Sequence, residues 1–458
     1  MTRRTLLALA GSAFAADYKN RAPVSRETLK VKLPEASPVK LSNGMTLLAI
    51  EDNRLPLAWV KIQVNGAGKV YETRPGLAEF TANMLAEGTR ERGATQIREE
   101  AARLGAMLQT GTVSNREAAT LDGSGLSSRF DEWLALFGDV LQHPAFPGDE
   151  FNNLRQRWLV NLRMRNAQAQ DLAEDRLLRL IYGTHPGGFT NPSPEELAQI
   201  TPEMLAMWHR ERYTPAGTVL SVIGRVRTSS VVAQAEKSFG GWKTPEVKFS
   251  LPPEPARDTK RRIVLIDRPG APQTQFAIGG LLFERRAPDF FPMVILDMVL
   301  GDGGTSRLSR LLEETGRAMK ASSVYGTARF TGFWRVRAAM RTELTAGVID
   351  TILAELRRLC DQPVTTAELD AAKSSSVGRF ALDLEEPSQV INYSYQRYRY
   401  GFSADYWERY PARINAVTAA EVQAVAQKYF HPDRAHIVAV GDAARIRGAL
   451  AKLGPVEA

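Results

Sequence analysis

The chain is written twice. "ITPEMLAMWHRERYTPAGTVLSVIGRV" begins at Ile200, and "VTAAEVQAVAQKYFHPDRAHIVAVGDA" begins at Val417. Thr201 aligns with Thr418, Pro215 with Pro432 and Gly224 with Gly441, each pair 217 positions apart with no gap. A match at one fixed offset means that one folding unit occurs twice. Each copy reads as a helix, a proline-marked turn and an apolar strand ending at Gly. Thr201 and Thr418 are the natural N-caps, because a hydroxyl can accept from the orphan N–H groups of a first helical turn.

The starts of the halves correspond as well. "MTLLAIEDNRLPLAWVKIQV" and "RRIVLIDRPGAPQTQFAIGG" both read as strand, proline-containing turn, strand. Val60, Ile62 and Val64 alternate as in a half-buried strand. Long helical tracts follow in each half. Strands followed by paired helices, rather than strict alternation, indicate an α+β class. The expectation is two homologous halves, each an antiparallel sheet with helices packed on one face, joined by a linker into a clamshell. The boundaries are a signal peptide over 1–16, an N-terminal half over 35–242, a linker over 243–261 and a C-terminal half over 262–455. The linker carries prolines and many charges, so it reads as exposed.

A chain of 458 residues exceeds what one core supports, which agrees with two units. Apolar residues make up 44% and charged residues 24%, a globular balance that argues against disorder. The net charge of +8 raises the question of nucleic acid, but no block of five like charges occurs, so a solvated mixed surface is expected and no nucleic-acid partner. "RYRY", Arg397–Tyr400, reads as solvated helix surface rather than a stacking platform. The N-terminus has Arg3 and Arg4, an apolar stretch from Leu6 to Phe14 and an A-x-A site at Ala13–Ala15, the pattern of a secretory signal. Thr2–Leu7 resembles a twin-arginine signal, so export to the periplasm is expected. No later run is long enough for a membrane span; Phe290–Leu300 is broken by Pro292 and Asp297. "GDGGTS", Gly301–Ser306, lacks a phosphate-loop lysine and reads as a helix break and restart. The single cysteine, Cys360, ends an apolar helical pattern (Ile352, Leu353, Leu356, Leu359) and reads as a structural thiol.

"GLAEFTANMLAEGT", Gly76–Thr89, reads as a helix with an apolar stripe of Leu77, Phe80, Met84 and Leu85. Glu79 and Asn83, four apart, share another face, a spacing that can set two ligands one turn apart. Together "LSNGMTLLAIED", "YETRPGLAEFTANMLAEGT", "LGAMLQTGTVSNREAATL", "YGTHPGG" and the two repeat segments resemble the pitrilysin and insulinase type of zinc metallopeptidases, which includes the mitochondrial processing peptidases. The resemblance spans about Lys40 to Leu453. That family carries H-x-x-E-H on this helix: two histidines hold zinc, the Glu activates water, and a distant Glu completes the site.

Carried onto this chain, the first His position is Glu79, the base position Ala82, the second His position Asn83 and the distant ligand position Asn161. None keeps the family residue. One carboxylate and two amides are poor donors for zinc, and Ala82 cannot take a proton from water. The five histidines, at positions 143, 185, 209, 431 and 436, include no pair at helical i, i+4 spacing. The resemblance also implies an Arg and a Tyr, seven apart, offered by the C-terminal half. Anchored on Ser306-Arg307-Leu308, these positions are Glu313 and Lys320; a slip of a few residues brings in Arg310, Arg317 or Tyr325. No catalytic residue and no cofactor of the chain's own are therefore expected, zinc belonging to a partner.

What the resemblance leaves is peptide holding. Its edge strand beside the zinc helix takes substrate by β-augmentation, through main-chain groups that need no special side chain. Here that strand is Met107, Leu108, Gln109, Thr110, Gly111 and Thr112. The expected function is a catalytically inactive subunit, paired with a homologous chain carrying H-x-x-E-H, acting on peptide substrates. The alternatives are a stand-alone peptide-binding pseudopeptidase and a metallopeptidase with an unorthodox site centred on Glu79.

Overall fold

The computed structural model describes residues 29–113, 116–189, 191–244, 247, 249–257 and 260–457. The expected signal peptide, 1–16, lies outside the described residues.

Two six-stranded sheets carry the fold. The first is built from β1 (Val39–Lys40), β2 (Thr46–Glu51), β3 (Leu57–Asn65), β4 (Met107–Thr112), β5 (Ala118–Leu126) and β6 (Thr218–Gly224), in the order β1-β2-β6-β3-β5-β4. The second is built from β7 (Ile263–Asp267), β8 (Gln273–Leu281), β9 (Lys320–Gly326), β10 (Phe333–Arg341), β11 (His436–Gly441) and β12 (Val456–Glu457), in the order β12-β7-β11-β8-β10-β9. Five strands repeat in the same spatial order. Only the outermost differs: β1 precedes its neighbour in sequence, whereas β12 comes from the C-terminal end. The sheets are mixed rather than wholly antiparallel. β6 inserts between β2 and β3 and runs parallel to β2, and β11 runs parallel to β7. Both inserted strands arrive through a helix, the connection that parallel pairing needs.

The repeated segments form as read. The Thr201 hydroxyl accepts from Met204 N–H at 3.4 Å, and the Thr418 hydroxyl accepts from Glu421 N–H at 3.2 Å. The strands that follow, β6 and β11, are buried along their whole length. Gly224 has φ +151°, and a Cβ there would lie 2.3 Å from the Leu57 carbonyl oxygen, so the strand crossing requires glycine. The Phe290–Leu300 helix is almost wholly buried, and no described helix is long and apolar enough to cross a membrane.

Each sheet has its own half's helices on one face. On the first sheet Val60, Ile62 and Val64 point into that core with Trp133 and Phe137. The opposite face is covered by a helix of the other half. Val390, Ile391 and Tyr395 of the Pro387–Tyr400 helix pack on Leu48, Ile50, Val219 and Ile223. In return, the Ala169–Tyr182 helix lies on the second sheet; Glu174 pairs with Arg335 and Arg337 of β10 at 2.8 and 2.7 Å. The halves are therefore interlocked by an exchange of one helix each.

That exchange corrects the reading of Arg397–Tyr400 as solvated surface. Tyr400 is buried, Tyr398 and Thr46 share a hydroxyl contact at 3.0 Å, and Arg399 pairs with fully buried Glu117 at 3.0 Å. Helical periodicity alone could not show it, because the covering strands are distant in sequence, Thr46 lying 352 positions from Tyr398 and Glu117 lying 282 from Arg399. The linker is also more than a tether. Phe249 packs on Tyr71 with ring centroids 6.1 Å apart, and the Thr331 hydroxyl donates to Glu254.

Candidate functional site

The Leu77–Met84 helix is set by Glu72. This carboxylate is buried and accepts from Gly76 N–H at 3.0 Å and Ala78 N–H at 2.7 Å, anchoring the helix start. Gly76 takes φ +91°, and a Cβ there would meet Pro192 at 2.8 Å. Burial pushes the Glu72 carboxyl up to about 8, against the pull of those backbone donors and Lys69. Sequence reading missed Glu72. Its signal was an acid just ahead of a glycine and a helix.

Leu77, Phe80, Met84 and Leu85 are all buried, as the stripe predicted. Phe80 meets Phe151 and Trp158 edge-on at 5.1 and 4.9 Å, which fixes the Gly148–Ala167 helix against this one. The other face carries Glu79 and Asn83, both half-buried, while Ala82 has no exposed surface. Glu79 is in an ion pair with Lys69, a residue that no sequence pattern marked. Asn83 lies beside β4: a methyl built on Gly111 would come within 3.8 Å of its amide oxygen. The candidate helix and the candidate peptide strand are thus neighbours. Asn161 is one turn beyond Trp158 and is exposed.

These residues do not fit zinc. The one carboxylate is held by an ammonium, the middle position has no donor atom, and the other two are neutral amides. No group of three or more His, Cys, Asp or Glu side chains among the described residues is placed to hold a metal ion. The histidines are separately employed. His209 hydrogen-bonds the Leu141 carbonyl at 2.8 Å, and burial pushes it down to about 4; His185 accepts from Gly187 N–H at 2.9 Å.

The second expected pair is not presented together either. Glu313 accepts from Ala321 N–H at 2.6 Å and from the Ser309 hydroxyl at 3.3 Å, tying the turn before β9 to that strand. Lys320 is exposed at the start of β9. Of the alternatives, Arg310 pairs with Glu368 at 3.1 Å, Arg317 donates to the Gly347 carbonyl at 2.8 Å, and Tyr325 lines a cavity between the halves. "GDGGTS" follows the end of the Phe290–Leu300 helix as a turn, and Arg307 just beyond it is locked by Glu355 and Glu368 at 2.6 and 2.8 Å. Cys360 donates to the Ala426 carbonyl at 3.4 Å, and burial pushes its thiol up to about 11, so it is not a reactive thiolate.

The candidate peptide strand is laid out openly. Among the described residues β4 pairs only with β5, and it forms one edge of the first sheet. Met107 is 64% exposed, so the edge presents apolar surface as well as main-chain groups. Under it, Trp59, Lys61, Met107 and Gln109 border a hollow of about 210 Å3 on the face covered by the Pro387–Tyr400 helix. β4 therefore offers main-chain groups at a sheet edge beside the Leu77–Met84 helix.

Comparison with known proteins gives the same family for both halves. The model "Insulinase (Peptidase family M16)" matches residues 48–190, and "Peptidase M16 inactive domain" matches residues 199–376. A probable mitochondrial-processing peptidase subunit beta of Arabidopsis thaliana is 25% identical over 423 residues, covering 89% of this chain and 78% of the relative. A Mycobacterium bovis protein described as an uncharacterised zinc protease is 28% identical over 381 residues, covering 81% and 84%. Among solved structures, a peptidase M16 inactive domain from Pseudomonas fluorescens superposes with a TM-score of 0.82 at 22% identity, covering 89% of this chain and 98% of that one. A Helicobacter pylori protease gives 0.81 at 20% identity, covering 90% and 100%. With both halves matched in order and the fold shared across its length, the chain belongs to the insulinase-type peptidase family M16.

Proposed function

We propose that this chain is a non-catalytic, peptide-holding subunit that pairs with a zinc-bearing homologue carrying H-x-x-E-H. One observation carries the proposal: the position that would supply the first zinc ligand, Glu79, is paired with Lys69 beside an Ala with no exposed surface. The scaffold around it is intact, with capped helices, a packed core and an open β4. Loss confined to donor atoms fits a chain that keeps its shape for a task other than catalysis. The zinc and the water-activating Glu then belong to the partner, and this chain contributes a wall and the β4 edge for peptide. The role is placed in the periplasm, following the leader-like N-terminus.

The test is a native pull-down from the source organism with the intact mass of the complex, followed by peptidase assays of each chain alone and together. A one-to-one complex whose peptidase activity needs both chains is expected. Full activity of the partner without this chain overturns the proposal. The open edge also favours a second reading, peptide holding by the chain alone, which a lone chain or homodimer with peptide affinity would establish. A metallopeptidase centred on Glu79 is disfavoured, because Lys69 competes for the only carboxylate of the set.

A further inference from the structure

A cavity of about 540 Å3 lies between the first sheet and the C-terminal half. It does not include Glu79, although Thr112 at the end of β4 lines it and Lys61 and Asp122 also border the hollow beside Met107. Its sheet wall is a block of four polar residues on one face. β3 and β5 set Lys61 opposite Asp122 and Gln63 opposite Thr120. The Thr120 hydroxyl donates to Asp122 at 2.8 Å, which leaves its oxygen free to accept. Lys61 donates to Asn392 at 2.9 Å and stands 3.9 Å from the Asp122 carboxylate.

Two features show that this block is underused. Gln63 is only 3% exposed, yet its side-chain oxygen has no hydrogen-bond partner. A buried amide oxygen left so is uncommon and unfavourable. The Lys61–Asp122 contact is also long for a charge-assisted hydrogen bond, which forms near 2.7–2.9 Å. Burial raises the Asp122 pKa despite Lys61 and Thr120, which agrees with an under-compensated carboxylate.

The far wall is aromatic, including Phe290, Tyr325 and Trp407. Arg285 is already absorbed there. Its carbon centre sits 3.5 Å from the Phe290 ring centroid, and its guanidinium donates to the Tyr406 hydroxyl at 3.0 Å.

We infer that this cavity is a binding site for a free α-amino acid with a large apolar or aromatic side chain. The α-ammonium is received by Asp122 and the Gln63 oxygen, the α-carboxylate by Lys61, and the side chain by the aromatic wall. An amino acid carries its two charges on neighbouring atoms of one carbon, so its dipole lies antiparallel against the adjacent Lys61 and Asp122. The termini of a longer peptide are too far apart to do so. A zwitterion adds no net charge to an enclosed space, which a lone anion or cation would. The bound molecule touches both halves and reinforces their contact.

Titration calorimetry of the full exported chain with L-phenylalanine tests this. Binding is expected, with at least about tenfold loss for N-acetyl-L-phenylalanine, for L-phenylalaninamide and for the Asp122→Asn variant. Gln63→Met removes the unpartnered oxygen; it should fold at least as stably and bind more weakly. No L-phenylalanine binding up to millimolar concentration overturns the inference. So does equal binding of the acetylated form. Tighter binding of the dipeptide Phe-Ala than of free L-phenylalanine would assign the site to peptide termini instead and overturn the amino-acid assignment. None of these outcomes bears on the partner chain.

Discussion

Arg399 reaches across the boundary between the halves to Glu117, 3.0 Å away, and Glu117 has no exposed surface. Arg399 lies on the exchanged Pro387–Tyr400 helix, and Glu117 lies just before β5. Glu117 also accepts from Arg329 N–H at 2.8 Å, so one buried acid gathers two segments of the C-terminal half. Truncating one member of such a buried pair leaves the other charge without compensation, at a cost of about 3–5 kcal/mol. Glu117→Ala should therefore lower the chemical denaturation midpoint sharply. The Glu117→Ala/Arg399→Leu double variant should recover part of the loss, because the stranded cation is gone. A midpoint for Glu117→Ala equal to that of the unaltered chain would show that the pair does not hold the halves together.

The repeat, the strands and the capped helices were legible because they are local. Thr201, Thr418 and the Val60–Ile62–Val64 alternation state their roles within a few residues. The helix exchange was not, since Tyr395 and Arg399 look like any amphipathic tail until the first sheet is placed against them. The departures from H-x-x-E-H at Glu79, Ala82 and Asn83 could be read by motif, but the ion pair that Glu79 makes could not. Nothing near Lys69 in sequence announces that its ammonium meets Glu79, and Glu72 shows its anchoring role only once Gly76 and Ala78 turn their N–H groups to it.

Glu72 gives a pH signature. Its carboxyl is pushed up to about 8 in the fold, above the ordinary value near 4.5. The folded state thus binds a proton that the unfolded chain has released over this interval. The stabilisation is fully present below about pH 4.5 and is lost as pH rises through about 8. Asp297, raised to about 7 by burial, acts in the same direction. Glu72→Gln should flatten the fall in stability between pH 5 and 8 relative to the unaltered chain, leaving the Asp297 part. Melting temperatures across that range check it; an unchanged slope would show that Glu72 stays ionised, held by its two backbone donors.

The placement of Glu79, Ala82, Asn83 and Asn161 predicts how a zinc site can be built there. Glu79→His, Ala82→Glu, Asn83→His and Asn161→Glu together should recruit zinc, since the first three share one helix and the fourth lies on the helix packed against Phe80. Lys69 opposes this, because its ammonium sits where the metal's charge would be. Adding Lys69→Met should raise zinc affinity by about tenfold or more, the size of effect that neighbours of metal ligands have. Zinc content and competition with a chelator measure it. A folded quadruple variant that holds no zinc even with Lys69→Met would show that Asn161 is not the fourth position.

The β4 edge can be tested without touching a side chain that matters. In an antiparallel edge strand, successive N–H groups point alternately to the neighbour strand and outward. Proline removes an N–H and is tolerated on edges where that group faces solvent. Single prolines at Leu108, Gln109, Thr110 and Gly111 should therefore alternate in effect. Two positions, those whose N–H groups bond to β5, should lose stability. The other two should keep the fold and lower affinity for an extended peptide by about tenfold, the worth of a main-chain hydrogen bond or slightly more. Alanine at Leu108, Gln109 and Thr110 should change peptide affinity far less than proline. If the proline variants that fold still bind peptide at full strength, the peptide is held elsewhere than on Met107–Thr112. If alanine weakens binding as much as proline does, recognition runs through side chains rather than strand addition.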